Sequence, residues 1–162
     1  MKVRNALFFF GIIIALSGCS DDGPTTQNAV TLNGTKFNIT TASIVGVAID
    51  GDGHAGITFV YAGNGGSKTL NIDVEYAGDS NVAGTYSFPQ DAGDRLLLDG
   101  LTYYNEVNSQ GGFFAAMLVE GHVTIVNHGG NKYTVEMDLE MEEGKVFSGQ
   151  YTGTFVTQFN NQ

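Results

Sequence analysis

From Lys132 to Met141 polar and apolar residues alternate without a break: Lys132, Thr134, Glu136, Asp138 and Glu140 share one phase, and Tyr133, Val135, Met137, Leu139 and Met141 the other. Successive side chains of a β-strand leave opposite faces, so this pattern describes a strand with one wet and one dry face. It does not fit a helix, whose apolar stripe recurs every three to four residues. Thr69 to Tyr76 repeats the alternation, with Leu70, Ile72, Val74 and Tyr76 on the dry side and Thr69, Asn71, Asp73 and Glu75 on the wet side. Lys145 to Val156 continues it: Phe147, Tyr151 and Phe155 face inward, Gly149 and Gly153 lie between them, and Ser148, Gln150, Thr152 and Thr154 face out. The two glycines leave room for bulky neighbours or permit a bend. A sheet that is dry on one side must bury that side against a second layer or close on itself.

The punctuation between these runs is that of an antiparallel protein. Ala29 to Leu32 and Thr35 to Thr40 flank Asn33-Gly34, the dipeptide that best tolerates positive φ at both centres of a two-residue hairpin turn. Ser43 to Ile49 and Ala55 to Tyr61 flank the turn cluster Asp50 to His54. Asn127 to Asn131 and Glu142 to Gly144 link the last three strands as consecutive hairpins. Gly84 to Phe88, Arg95 to Leu98 and Leu101 to Tyr104 read as short strands, and Phe113 to Val126 as one long or broken strand with Gly121 inside. With 23 glycines, 2 prolines and no capped segment of helical period, the expectation is a single all-β domain over residues 29–162. About eight to ten strands in up-and-down order would form either an antiparallel β-sandwich or a small lipocalin-like β-barrel. A domain of this size buries enough surface for an independent core.

Before that domain, Lys2 and Arg4 precede an apolar run from Ala6 to Leu16, shorter than the ~20 residues that span a bilayer and suited to the core of a signal peptide. Leu16-Ser17-Gly18-Cys19 follows, and Cys19 is the only cysteine, so no intrachain disulfide forms. These four residues resemble the lipobox of bacterial lipoproteins: Leu, a small residue, Gly or Ala, then Cys. The resemblance implies a signal peptide over 1–18, cleavage after Gly18 and acylation of Cys19 by palmitate-like chains that hold the protein in a membrane. Ser20-Asp21-Asp22-Gly23 looks like the acidic signal that follows the lipidated cysteine in surface-exposed lipoproteins of the Bacteroidota, which implies an outer-membrane, cell-surface address. Residues 19–28, with Pro24 and neighbouring threonines, read as a lipidated flexible tether. The ending Gly149 to Phe155 is similar in style to small Bacteroidota lipoproteins of uncharacterised function and brings no active site with it.

Charge narrows the partners. The chain has 17 acidic and 7 basic side chains, and loss of the leader would leave Lys36, Lys68, Arg95, Lys132 and Lys145 as its cations. Five cations among so many acids do not make the basic surface that nucleic acid binding requires, so no nucleic acid partner is expected. Asp50, Asp52 and His54 place acids at alternate positions of a turn. A calcium loop starting at Asp50 would need Gly and Glu where the chain has Ala55 and Tyr61, so the cluster reads as a hairpin tip and no metal site is assigned. The acidic rows Asp73/Glu75 and Glu136/Asp138/Glu140 would repel if their strands were neighbours, so they are expected apart in the sheet or bridged by a cation or lysine. His54, His122 and His128 make no metal pair, although His122 and His128 would converge if their strand folded back. No nucleophile elbow, phosphate loop or zinc helix motif is present. The expectation is a non-catalytic protein without a cofactor.

The segment that stands out for binding is Leu101-Thr-Tyr103-Tyr104-Asn105-Glu106 with Phe113-Phe114. Adjacent aromatics point to opposite sides of a strand, so one of each pair faces outward, and exposed rings beside amides suit sugar or protein recognition. Tyr103, Tyr104, Asn105, Phe113 and Phe114 are therefore the candidate binding residues for a glycan or protein partner at the outer membrane. The alternative is a lipocalin-like carrier with a small apolar ligand in the mouth of a barrel.

Overall fold

A computed structural model describes residues 25–49, 52–77 and 81–161. The expected leader, Cys19 and most of the tether lie outside the described residues, as does Asp50. The described residues form thirteen β-strands and one 3-10 turn (Glu142–Gly144), with no α-helix. The short N-terminal strands are β1 (Gln27–Asn28), β2 (Thr31–Leu32) and β3 (Thr35–Lys36). Then come β4 (Thr41–Ile49), β5 (Asp52–Gly63), β6 (Gly66–Ala77), β7 (Gly84–Phe88), β8 (Arg95–Leu96) and β9 (Tyr103–Asn108). The series ends with β10 (Phe113–Asn127), β11 (Lys132–Met141), β12 (Lys145–Thr154) and β13 (Val156–Asn161).

The strands hydrogen-bond in the order β13-β4-β5-β6-β9-β10-β11-β12-β2-β3, with β7 beside β10 and β1 beside β12. This all-β, mostly antiparallel sheet does not close into a barrel. It folds over on itself at β10. Phe113 to Met117 of that strand pair with β9, while Gly121 to Asn127 pair with β11 and Gly121 to Ile125 also pair with β7. The register shifts between Leu118 and Glu120, and such a bulge lets one strand pass from one layer to the other. The layers then meet ring on ring: Phe59 of β5 packs edge-on against Tyr151 at 5.4 Å, and Tyr104 of β9 against Phe147 at 5.0 Å. Phe59, Tyr104, Phe147 and Phe155 are all buried in one core.

The alternating runs are strands where expected, and β11 spans Lys132–Met141 with its apolar phase wholly buried. The Asn33-Gly34 turn joins β2 to β3 with φ of 50° and 75°, the paired positive values of a type I′ hairpin. Gly149 also has a left-handed φ of 111°, and a Cβ there would run into the Ala29 carbonyl oxygen, so the bare backbone is what lets the N-terminal segment lie across β12.

Several expectations need correction. The order is not simply up-and-down, because β13 pairs parallel with β4 and β8 parallel with β7. Asp52 and His54 belong to β5 rather than to a turn: the ladder runs to Ile49↔Asp52. Gln27 and Asn28 pair with Thr152 and Tyr151, so the end of the expected tether is part of the sheet. That added strand covers Thr152, which is buried although its phase points outward, and its hydroxyl is paired with that of Thr134 at 2.8 Å. The phase of β6 expected to be wet is only half exposed, because Leu97 to Thr102 lies over it: Leu98 N–H donates to the Asp73 carbonyl at 2.9 Å, and Asp73 N–H to Thr102 Oγ1 at 3.0 Å. The acidic rows of β6 and β11 lie on separate strands that do not pair, as repulsion requires.

Candidate functional site: the mouth between the layers

Phe59, Leu70, Tyr104 and Ala116 form a buried inward row across β5, β6, β9 and β10. Two residues further toward the strand ends, on the same inward phase, the next row reads Tyr61, Lys68, Glu106 and Phe114. The core therefore ends in a row that carries charge. Opposite it, the other layer supplies the β2–β3 hairpin and Lys145 from the start of β12, and the gap between them is a recess of about 420 Å³.

Lys68 Nζ lies 3.6 Å from Glu106 Oε1, with side chains 38% and 31% exposed. The Tyr104 hydroxyl donates to the same carboxylate oxygen. Burial pushes the Tyr104 phenol upward, and the hydrogen bond and negative charge of Glu106 push it further, so the phenol remains a neutral donor that holds Glu106 in place. Lys145 Nζ sits 4.9 Å from the centre of the Phe114 ring, a cation–π contact across the layers. Lys36 completes the lining from the exposed hairpin.

Two smaller recesses, of about 200 and 160 Å³, adjoin this mouth, and Glu106 lines all three. The smallest is walled by Asn108, Gly112, Phe113 and Phe114. Asn108 Oδ1 accepts from Gln110 and Gly112 N–H at 2.9 and 2.8 Å, which fixes the β9–β10 turn. On the outer face of that hairpin Phe113 is 70% exposed, and its cross-strand partner Val107 is 39% exposed.

The candidate aromatics thus divide as adjacent residues of a strand must. Tyr104 is fully buried and offers no surface to a ligand; its part is structural. Phe114 is half-buried, packed edge-on to Tyr104 at 6.3 Å, and reaches the mouth from inside. Tyr103 and Asn105 are half-buried on the outer face, and Phe113 is the strongly exposed ring. Among the described residues no continuous aromatic patch forms. The residues overlooked in the sequence are the lysines and Glu106. Their signal was present: Lys68 precedes Leu70 by two and Glu106 follows Tyr104 by two, so each is a charged residue on the dry phase of its strand.

Elsewhere, Asp91, Asp94 and His122 bring one ligand atom each within 4.8 Å of one another, with His122 Nε2 2.8 Å from Asp91 Oδ2. Asp91 and His122 are exposed and Asp94 half-buried. Asp91 and His122 border a recess of about 500 Å³ over β10 and β11 that Glu120, Asp138 and Glu140 also line. His122 and His128 do not converge, since β10 runs on from one almost to the other and His128 Nε2 instead meets Thr134 Oγ1 at 2.8 Å. His54 stands opposite Glu75 on β6. Asp73, under the Leu97–Thr102 segment, is pushed up from 3.8 to about 6 by burial, against a downward pull from His54; its Oδ1 is buried without a hydrogen-bond partner among the described residues.

The site therefore belongs to an open-mouthed, two-layered β-domain. Compared with family models, curated proteins and solved structures, the chain has no significant match to any of them.

Proposed function

We propose that this protein is a surface-anchored, non-catalytic module that binds a glycan at the outer membrane, held there by lipid on Cys19. The observation that carries the reading is Phe113, an apolar ring 70% exposed at the start of β10, beside a turn fixed by Asn108 and lining a recess with polar walls. An exposed ring is a stacking platform for the apolar face of a sugar, and nearby amides and carboxylates satisfy its hydroxyls. A protein partner would need about 800 Å² of complementary surface on each side. The other large exposed apolar side chains, such as Val45, Val126 and Val156, lie on other strands or at the far end of β10 and do not extend the Phe113–Val107 pair in the sheet register. A small apolar cargo suits the mouth less well, because three lysines and a glutamate line it.

The test uses intact cells displaying the full chain and a panel of fluorescent oligosaccharides. Wild-type cells bind at least one glycan; Cys19→Ala removes protein and binding from the surface together. Phe113→Ser leaves the amount of surface protein unchanged and weakens binding by about tenfold or more, the scale of one lost stacking contact. Undiminished binding by Phe113→Ser, or no glycan bound by the wild type, overturns the reading.

A further inference from the structure

The cations of this protein are few and unevenly placed. Among the described residues there are five, Lys36, Lys68, Arg95, Lys132 and Lys145, in a chain with 17 acidic residues. Three of the five line one recess, and they reach it from three separate parts of the fold: Lys36 from the β2–β3 hairpin, Lys68 from β6 and Lys145 from β12. Like charges brought together repel, and the walls of a recess reduce the water that would screen them. Against the three ammonium groups the recess has one carboxylate, Glu106, and its Oε1 already serves both Lys68 and the Tyr104 hydroxyl. Lys36 and Lys145 make no ion pair among the described residues. The mouth therefore keeps an excess of positive charge on a protein that is otherwise strongly negative.

We infer that the mouth takes the acidic unit of the saccharide, whose carboxylate or sulfate is received by Lys36, Lys68 and Lys145 while its ring rests on Tyr61 and a neighbouring sugar stacks on Phe113 at the adjoining recess. This rests on the glycan-binding reading and specifies the ligand's charge. The other lining groups suit such a ligand. Asn33, Thr35 and Asn38 offer amides and a hydroxyl to ring hydroxyls, and Leu32 and Phe37 supply the apolar floor. The anion completes a charge balance that the chain leaves open, and the acidic groups that outnumber cations over the rest of the surface repel it, so the field favours the mouth.

The probe is an array of short uronate-, sialate- and sulfate-bearing oligosaccharides, each printed beside its methyl-esterified or desulfated neutral counterpart and read with the full chain. The acidic member of a pair is expected to bind about tenfold or more tightly than the neutral one, and binding should fall as salt rises. Whether carboxylate or sulfate is the group recognised is read from which pairs respond. Lys145→Gln and Lys68→Gln should each lose about tenfold, one charge-assisted hydrogen bond's worth, on the best acidic ligand. Lys36→Gln, on the exposed hairpin, gives the same direction of change without touching the core. Lys132→Gln, on β11 outside the recess, should leave affinity unchanged. Equal binding of acidic and neutral partners, or lysine variants with wild-type affinity, overturns the acidic specificity and leaves glycan binding standing. An array with no bound glycan overturns both.

Discussion

The mouth and the outer face of β10–β11 treat charge in opposite ways. Along β11, Glu136, Asp138 and Glu140 stand exposed in a row, with His122 opposite Asp138 and Glu120 opposite Glu140. At the mouth, Lys68 and Glu106 occupy the inward phase of their strands, half-buried and bonded to each other, with Lys145 stacked over Phe114. The carboxylates of β11 do what charges on a solvated strand face ordinarily do: they keep the surface soluble and discourage other strands from pairing. The mouth places charge where a hydrophobic residue would stabilise more, and positions it with a buried phenol. Charge on a wet phase needs no further explanation, whereas charge held on a dry phase at an open cavity points to a ligand.

Perturbing the two regions should separate them, and the largest effect belongs to the floor beneath the mouth. Phe147 is fully buried, edge-on to Phe37 at 5.4 Å and to Tyr104 at 5.0 Å, and so joins the hairpin to the layer that carries Glu106. Phe147→Ala should cost about 3–5 kcal/mol in chemical denaturation. A loss under about 1 kcal/mol would mean that the mouth does not rest on the core.

Asp73 sharpens the comparison from the other layer, as a carboxylate on an outward phase that a loop has covered. Its folded value of about 6 lies above the ordinary 3.8, so the folded protein binds this proton more tightly than the unfolded chain does. Its contribution to stability is greatest below pH 4, falls as pH rises from about 4 to 6, and is constant above that. Asp73→Asn should remove this slope and stabilise the protein at pH 7 by about 1–2 kcal/mol, after allowance for solvent screening at a half-buried site. Thermal melts of both proteins between pH 4 and 7 check it, and parallel curves would assign the slope to other groups.

The smallest effect is expected on the exposed row. Glu120 and Glu140 face each other across β10 and β11, and like charges directly opposite are mildly unfavourable. Glu140→Gln should therefore stabilise by less than about 1 kcal/mol, with a gain that shrinks in high salt. Denaturation at two ionic strengths measures it, and a destabilised variant would show that Glu140 has a favourable partner outweighing Glu120.

What could be read in the sequence follows from how local each feature is. The period of two placed β11 to the residue and gave β6 its inward phase, and Asn33-Gly34 fixed its hairpin, because both depend only on neighbours in the chain. The parallel pairing of β13 with β4 joins segments more than a hundred residues apart, and nothing in either segment announces the other. Exposure was misjudged wherever a distant piece covers a polar phase, as β1 covers Thr152 and the Leu97–Thr102 segment covers Asp73. The aromatic segment lies at the end of the molecule where the recesses cluster, since Phe113 and Phe114 both border one of them, but it could not show that Tyr104 is spent on the core. Lys36, Lys68 and Lys145 lie far apart in the chain, and only the pairing of β3 with β2 and of β2 with β12, together with the packing of that layer over β6, brings them to one recess.

β10 belongs to both layers, changing ladders at the irregularity between Leu118 and Glu120. A clam whose shells share one continuous rib has its two halves joined by paired backbone rather than by a loose loop, so the frame of the cavity forms as the chain folds. The strands that carry Lys36, Lys68 and Lys145 are thus placed by the fold itself, and on the proposed reading a guest would spend its affinity on their side chains rather than on their backbones.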